Sequence, residues 1–141
     1  SEASILREVK LLTQMPYFKG NISDIGGPSA NMYKMGGKDT ELCDKCRRPS
    51  CLHPKPCPNL NRSHDHIIEL YRKITATTGV RHAYIGSGIR YDLFENEEYL
   101  REVVTKHTSG RLKVAPEHIS DNVLRIMNKP SFSVYKKFSN M

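Results

Sequence analysis

Cys43, Cys46, Cys51 and Cys57 are all the cysteines of this 141-residue chain, and they lie within one short stretch. Their spacing is C-x2-C-x4-C-x5-C. Four thiolates so close along a chain can close round one tetrahedral zinc ion or one iron–sulfur cluster. Lys45, Arg47, Arg48 and Lys55 stand beside them and offset thiolate charge. Two disulfides or four free thiols are the alternatives. Disulfides need an oxidising compartment, and nothing else here suggests a small secreted scaffold. His53 lies inside the stretch and is able to replace one cysteine.

Three further stretches carry polar or glycine-rich chemistry just after an apolar run. The first is Asp24-Ile25-Gly26-Gly27-Pro28-Ser29-Ala30-Asn31-Met32-Tyr33. A strand that stops at Gly26-Gly27 exposes backbone N–H groups with no side chains in the way, which makes room for a ligand; the plainer reading is a tight turn. The second is Gly86-Ser87-Gly88-Ile89-Arg90-Tyr91-Asp92. Ser87 and Arg90 there can hold a ribose hydroxyl or a carboxylate, unless Arg90 pairs with Asp92 or a helix acid. The third is Pro116-Glu117-His118. A carboxylate at a strand end can bind ribose hydroxyls or an ammonium, or act as an acid or base; a surface Glu–His pair is the alternative. His64, His66 and His82 form no clear pattern.

Periodicity supplies the elements that would position these loops. Ser4 to Thr13 reads as a helix with Ile5, Leu6, Val9 and Leu12 on one face. Phe18 to Ser23 is a short strand. Residues 34–62 hold the cysteines and four prolines and are expected to form neither regular helix nor strand. Ser63 is expected to cap a helix to Ala76 with Ile67, Leu70, Tyr71 and Ile74 as its stripe. Val80 to Gly86 is a second strand, Asn96 to His107 a helix with Leu100, Val103, Val104 and His107 on one face, and Arg111 to Ala115 a third strand. Ser120 is expected to cap a fourth helix bearing Val123, Leu124, Ile126 and Met127, and Phe132 to Phe138 begins another. Strands separated by single helices give parallel βαβ units. The expected fold class is α/β: about three parallel strands with alternating helices and a cysteine-rich insertion. Ligand sites in such sheets lie at the carboxyl ends of the strands, where all three polar loops fall. Three strands do not close a barrel, so the expectation is the middle of a larger α/β barrel.

The chain is long enough for one domain with a real core. Its hydrophobic share is 38% and its mean hydropathy −0.56. No apolar run approaches the ~20 residues of a membrane span. With no secretory pattern, a cytoplasmic protein without membrane contact is expected. Net charge is +7, part of it from Lys34, Lys38, Lys45, Arg47, Arg48, Lys55 and Arg62. A basic patch suits a polyanion such as nucleic acid, but no aromatic residues interleave it.

The strings Ile22-Ser23-Asp24-Ile25-Gly26-Gly27-Pro28-Ser29-Ala30-Asn31-Met32-Tyr33, Cys46-Arg47-Arg48-Pro49-Ser50-Cys51, Cys57-Pro58-Asn59-Leu60-Asn61, Gly86-Ser87-Gly88-Ile89-Arg90-Tyr91-Asp92 and Leu112-Lys113-Val114-Ala115-Pro116-Glu117-His118 resemble, in order and nearly end to end, the central part of YgiQ-type radical SAM proteins. The resemblance implies a partial (β/α)6 barrel that binds a 4Fe-4S cluster and S-adenosylmethionine, takes an electron from a donor, and generates a 5′-deoxyadenosyl radical for an unknown substrate. It places Gly26 and Gly27 at the methionyl amine of S-adenosylmethionine. Glu117 falls on the segment that approaches ribose and carboxylate. Pro28 departs from the acidic residue common at its position.

The superfamily's CxxxCxxC motif, which ligates the catalytic cluster, does not occur in the chain. The resemblance puts it just upstream of Ser1, on a first strand, with the last strands also outside. The chain by itself is therefore expected to be inactive and to need the remainder of its own chain. Its own cysteines would be an accessory zinc or iron–sulfur site. The competing reading is a small basic, zinc-stabilised module that binds nucleic acid and does no chemistry.

Overall fold

The computed structural model describes residues 1–27 and 30–141. The elements run α1 (Glu2–Thr13), β1 (Asn21–Ile22), α2 (Thr40–Asp44), α3 (Asp65–Thr75), β2 (His82–Ala83), a 3₁₀ turn (Tyr91–Leu93), α4 (Glu98–Lys106), α5 (Asp121–Ile126) and α6 (Phe132–Ser139). The class is mixed α/β. Strands β1 and β2 pair in parallel, with Asn21 opposite His82 and Ile22 opposite Ala83, and α3 lies in the connection between them.

Helix α3 is the centre of the core. Ile67, Leu70, Tyr71 and Ile74 are buried as their spacing requires, and Ile68 joins them. They meet Val9 of α1, Ala83 of β2, and Tyr99 and Val103 of α4. Two phenols are buried with them. The Tyr71 hydroxyl donates to the Ala30 carbonyl at 3.1 Å and lies 3.3 Å from that of Tyr99. Burial pushes the Tyr71 pKa up to about 12, against the lowering effect of its bond to Tyr99. Both phenols stay protonated at neutral pH, as a buried hydroxyl that must donate requires.

The expected third strand is not built as a strand. Residues 111–115 make a single parallel bridge, Ile89 to Val114, with the Ile89 N–H donating to the Lys113 carbonyl at 2.9 Å. The reason lies at the edge of β2. His107 occupies it: its carbonyl accepts from the Ile85 N–H at 2.8 Å, and its Nδ1 meets the Ala83 carbonyl at 2.8 Å. A helix end thus takes the hydrogen-bonding edge that the third strand would have used.

Several local expectations are corrected. The first helix starts at Glu2, capped by Ser1, not at Ser4. The Ser63 hydroxyl accepts from the Asp65 N–H, so the helix begins at Asp65 with His64 at the cap position. In α4 the inward face is Tyr99, Glu102 and Val103, while Val104 is exposed. Glu102 tolerates burial because Arg72 grips it with two bonds, at 3.2 and 2.9 Å, and Lys106 is a second partner. In α5 only Leu124 is buried, and Ile126 stands 79% exposed. Ser120 sits at the cap of α5 without a side-chain capping bond; Asp121 instead accepts from the Phe132 N–H at 2.9 Å, joining α5 to α6. The cysteine stretch contains one short helix, α2, capped by the Asp39 carboxylate, which accepts from the Leu42 N–H at 3.2 Å.

No helix among the described residues is long and apolar enough to cross a membrane.

Candidate functional site

The loop after β1 and the loop after β2 are held together by one carboxylate. Asp24 accepts from the Gly26 N–H at 2.8 Å, the Gly86 N–H at 3.0 Å and the Ser87 hydroxyl at 2.6 Å. Desolvation raises the Asp24 pKa, but these donors outweigh it and hold the carboxyl below its ordinary value. Gly26 is required by the close approach: a Cβ there would sit 2.9 Å from both Asp24 Oδ1 and Ser87 Cβ. A Cβ on Gly27 would meet nothing within 4 Å. Gly26, Gly27 and Asp24 line a mainly apolar cavity of about 560 Å³, with Ile5 and Val9 of α1 and Leu70 and Ile74 of α3 behind them. Tyr33 also lines it, and its buried hydroxyl has no hydrogen-bond partner in the described structure. Pro28 lies outside the described residues.

A second pin lies deeper. Asn31, fully buried, accepts from the Arg90 N–H at 2.8 Å and donates to the Arg90 carbonyl at 2.9 Å. Its amide also meets His64 Nε2 at 3.1 Å. Arg90 is thereby fixed through its backbone, and its guanidinium forms a forked pair with Asp92 at 3.1 and 2.7 Å. Of the two readings of Arg90, the ion pair with Asp92 is the one observed.

Arg90 and Asp92 share a smaller cleft of about 200 Å³ with Gly88, Ala115, Glu117 and Lys129. Glu117 adopts a left-handed backbone, φ 66°, and its carboxylate accepts from Lys129 Nζ at 2.7 Å. A non-glycine residue in that region is uncommon and costs about 1 kcal/mol or more. His118 does not join the cleft; its Nδ1 accepts from the Ser120 N–H at 2.9 Å.

The five residues singled out at the strand ends thus divide. Gly26 and Gly27 face the larger cavity, Arg90 and Glu117 the smaller one, and Ser87 serves Asp24 between them. Asp24 and Asn31 were not singled out from sequence, although both lie in the glycine-loop stretch. An aspartate two residues before a glycine is an Asx-turn signal and could have marked Asp24. Nothing local marks Asn31, whose partner lies 59 positions away.

His64 was likewise without a pattern. It is 6% exposed and stacks on Tyr99 with ring centroids 4.5 Å apart. Burial pushes its pKa down to about 4 from the ordinary 6.5, against the opposing pull of Glu95 and Asp65. Between those values the unfolded chain binds a proton that the native one refuses. This contribution to stability is therefore complete above pH 6.5 and is lost as pH falls toward 4, at up to about 1.4 kcal/mol per pH unit. Denaturant unfolding between pH 7 and 4 should show a shallower loss in His64→Gln than in the parent. Equal slopes would contradict the assignment.

The cysteine loop is closed at its neck. Gly37 and Leu60 form an antiparallel bridge, the Lys38 N–H donates to the Asn59 carbonyl at 2.7 Å, and the Asn61 N–H to the Gly36 carbonyl at 2.8 Å. All four cysteines are free thiols and line one cavity of about 280 Å³ together with Arg48 and Asn59. His53 is not part of that lining. Among the described residues, no three Cys, His, Asp or Glu side chains already stand in metal-holding geometry. Of the seven basic residues of this region, Lys34 pairs with Glu2, Arg62 pairs with Glu95, and Arg48 donates to the carbonyls of His53 and Lys55.

Over its whole length the chain is 52% identical to a UPF0313 protein of Bacteroides thetaiotaomicron and 52% identical to one of Bradyrhizobium diazoefficiens. Over 98% of its length it is 50% identical to a UPF0313 protein of Methanocella arvoryzae. The chain spans 24%, 21% and 23% of those relatives, about a quarter of each. It is homologous to one segment of longer UPF0313 proteins. No family model matches it, and no solved structure matches it.

Proposed function

We propose that the chain is a segment of the core of a YgiQ-type radical S-adenosylmethionine enzyme, part of a partial (β/α)6 barrel that holds the cofactor at the carboxyl ends of its strands. One observation carries this reading: Asp24 clamps the glycine loop after β1 to the loop after β2 and leaves Gly27 open on a cavity. The parallel pairing of β1 and β2, with the Ile89–Val114 contact continuing in the same sense, supports it. When bound, S-adenosylmethionine with a reduced 4Fe-4S cluster supplies a 5′-deoxyadenosyl radical. None of the chain's cysteines has the CxxxCxxC spacing, so the ligands of that cluster lie outside these residues.

The residues present fit the S-adenosylmethionine part of this chemistry. Asp24 is exposed beside Gly27 and its carboxyl is held below its ordinary value, so a charged carboxylate stands there to meet an ammonium. The Gly26-Gly27 main chain admits a ligand without a side chain in the way. Ser87 is a positioning residue, because its hydroxyl is committed to Asp24. Glu117, steadied by Lys129, offers its second oxygen to ribose hydroxyls, and Arg90 lines the same cleft. Ile119 and Ile126, 75% and 79% exposed, are surface for the remainder of a longer chain.

Binding of S-adenosylmethionine to the full-length protein tests the placement. Gly27→Val should weaken it by about tenfold or more, equivalent to ~1.4 kcal/mol. Unchanged affinity in both Gly27→Val and Glu117→Ala would refute the site.

A further inference from the structure

We propose that Cys43, Cys46, Cys51 and Cys57 are the four ligands of one structural zinc ion that orders the 37–60 loop. The site stands apart from the strand-end loops and does not rest on the radical reading. Four observations converge on it. All four cysteines line a single cavity, which a scattered set of loop thiols has no reason to do. The backbone folds them in pairs: the Cys46 N–H donates to the Cys43 carbonyl at 3.0 Å, and the Cys57 N–H to the Cys51 carbonyl at 2.7 Å. Two sulfurs already accept N–H donors, from Arg48 N to Cys46 Sγ at 3.4 Å and from Asn59 Nδ2 to Cys43 Sγ at 3.3 Å. The last observation is that packing does not order the loop: Leu42 is 59% exposed, and only Leu60, at the neck, is buried.

The binding step is balanced in protons and charge. Zinc(II) displaces four thiol protons to give a tetrathiolate of charge −2, beside the Arg48 guanidinium that lines the cavity. The sulfurs line the cavity without yet converging. Cys43, Cys46 and Cys51 are exposed, so their side chains rotate inward against little packing. Gly37 is part of the design, since a Cβ there would collide with Cys43 Sγ. Zinc is favoured over an iron–sulfur cluster because three of the ligands face water, where a redox-inert ion persists.

The experiment is elemental analysis of the full-length protein purified in air, beside Cys46→Ser and Cys51→Ser. The parent should carry one zinc per chain that both variants lose, while iron bound elsewhere is retained. Its four thiols should react only after a chelator is added. Cobalt exchanged into the parent should give the intense visible bands of a tetrahedral thiolate complex. That arm needs no variant, so it decides the matter even if the variants fail to fold. Equal zinc in all three proteins, thiols that react at once, no such cobalt spectrum, or loss of iron and sulfide in place of zinc would each overturn the proposal.

Discussion

Asn31→Ala should unfold with a free energy about 2–3 kcal/mol below the parent. Asn31 is fully buried and serves three partners: the Arg90 N–H, the Arg90 carbonyl and His64 Nε2. Removing its amide takes the partner from the half-buried Arg90 N–H and from the buried His64 ring nitrogen, while the Arg90 carbonyl keeps the Leu93 N–H at 3.4 Å; each lost pairing costs about 1–3 kcal/mol. Relaxation of the Arg90 loop toward water recovers part of that sum, which sets the figure. Denaturant unfolding of parent and variant at pH 7 measures it. A difference under about 1 kcal/mol would mean that the loops are held by other contacts.

Asp24→Ala should separate function from stability. Its carboxylate is solvent-exposed, so three charge-assisted bonds there contribute only about 1–2 kcal/mol to folding. The same bonds set the spacing of the Gly26 and Ser87 loops. A misplacement of about 1 Å in a reacting geometry can cost 100-fold in rate, and a loss of that order in 5′-deoxyadenosine formation by the full-length protein is expected. Asp24→Asn restores an acceptor but turns an amide toward donors, and should recover little. The pH dependence has a definite sign. The native carboxyl titrates below its ordinary value, so its contribution is present above that value and is lost as pH falls through the lowered one. Full activity in Asp24→Ala would show that the clasp does not organise the site.

Strong local signals survived into the structure. The α3 stripe, the parallel sense of β1 and β2, and the shared cavity of the four cysteines follow from spacing along the chain. What failed depended on partners distant in sequence. Residues 111–115 have a strand's composition, but His107 holds the edge of β2 by a main-chain carbonyl and a ring nitrogen. Val104 has the right spacing for burial, yet α4 turns Glu102 inward because Arg72, 30 positions earlier, is there to receive it. The strand-end loops were legible as polar interruptions, and their glycines as open backbone. The division of Gly27 and Glu117 between two cavities was not, because it depends on how the Asp24 and Asn31 contacts set one loop against the other.

The most direct measurement is product formation by the full-length protein. It would be reconstituted with iron and sulfide without oxygen, reduced, given S-adenosylmethionine, and analysed by chromatography. The predicted result is 5′-deoxyadenosine that requires both reductant and S-adenosylmethionine and falls sharply in Asp24→Ala. No 5′-deoxyadenosine from protein that carries its iron and binds S-adenosylmethionine would contradict the radical reading.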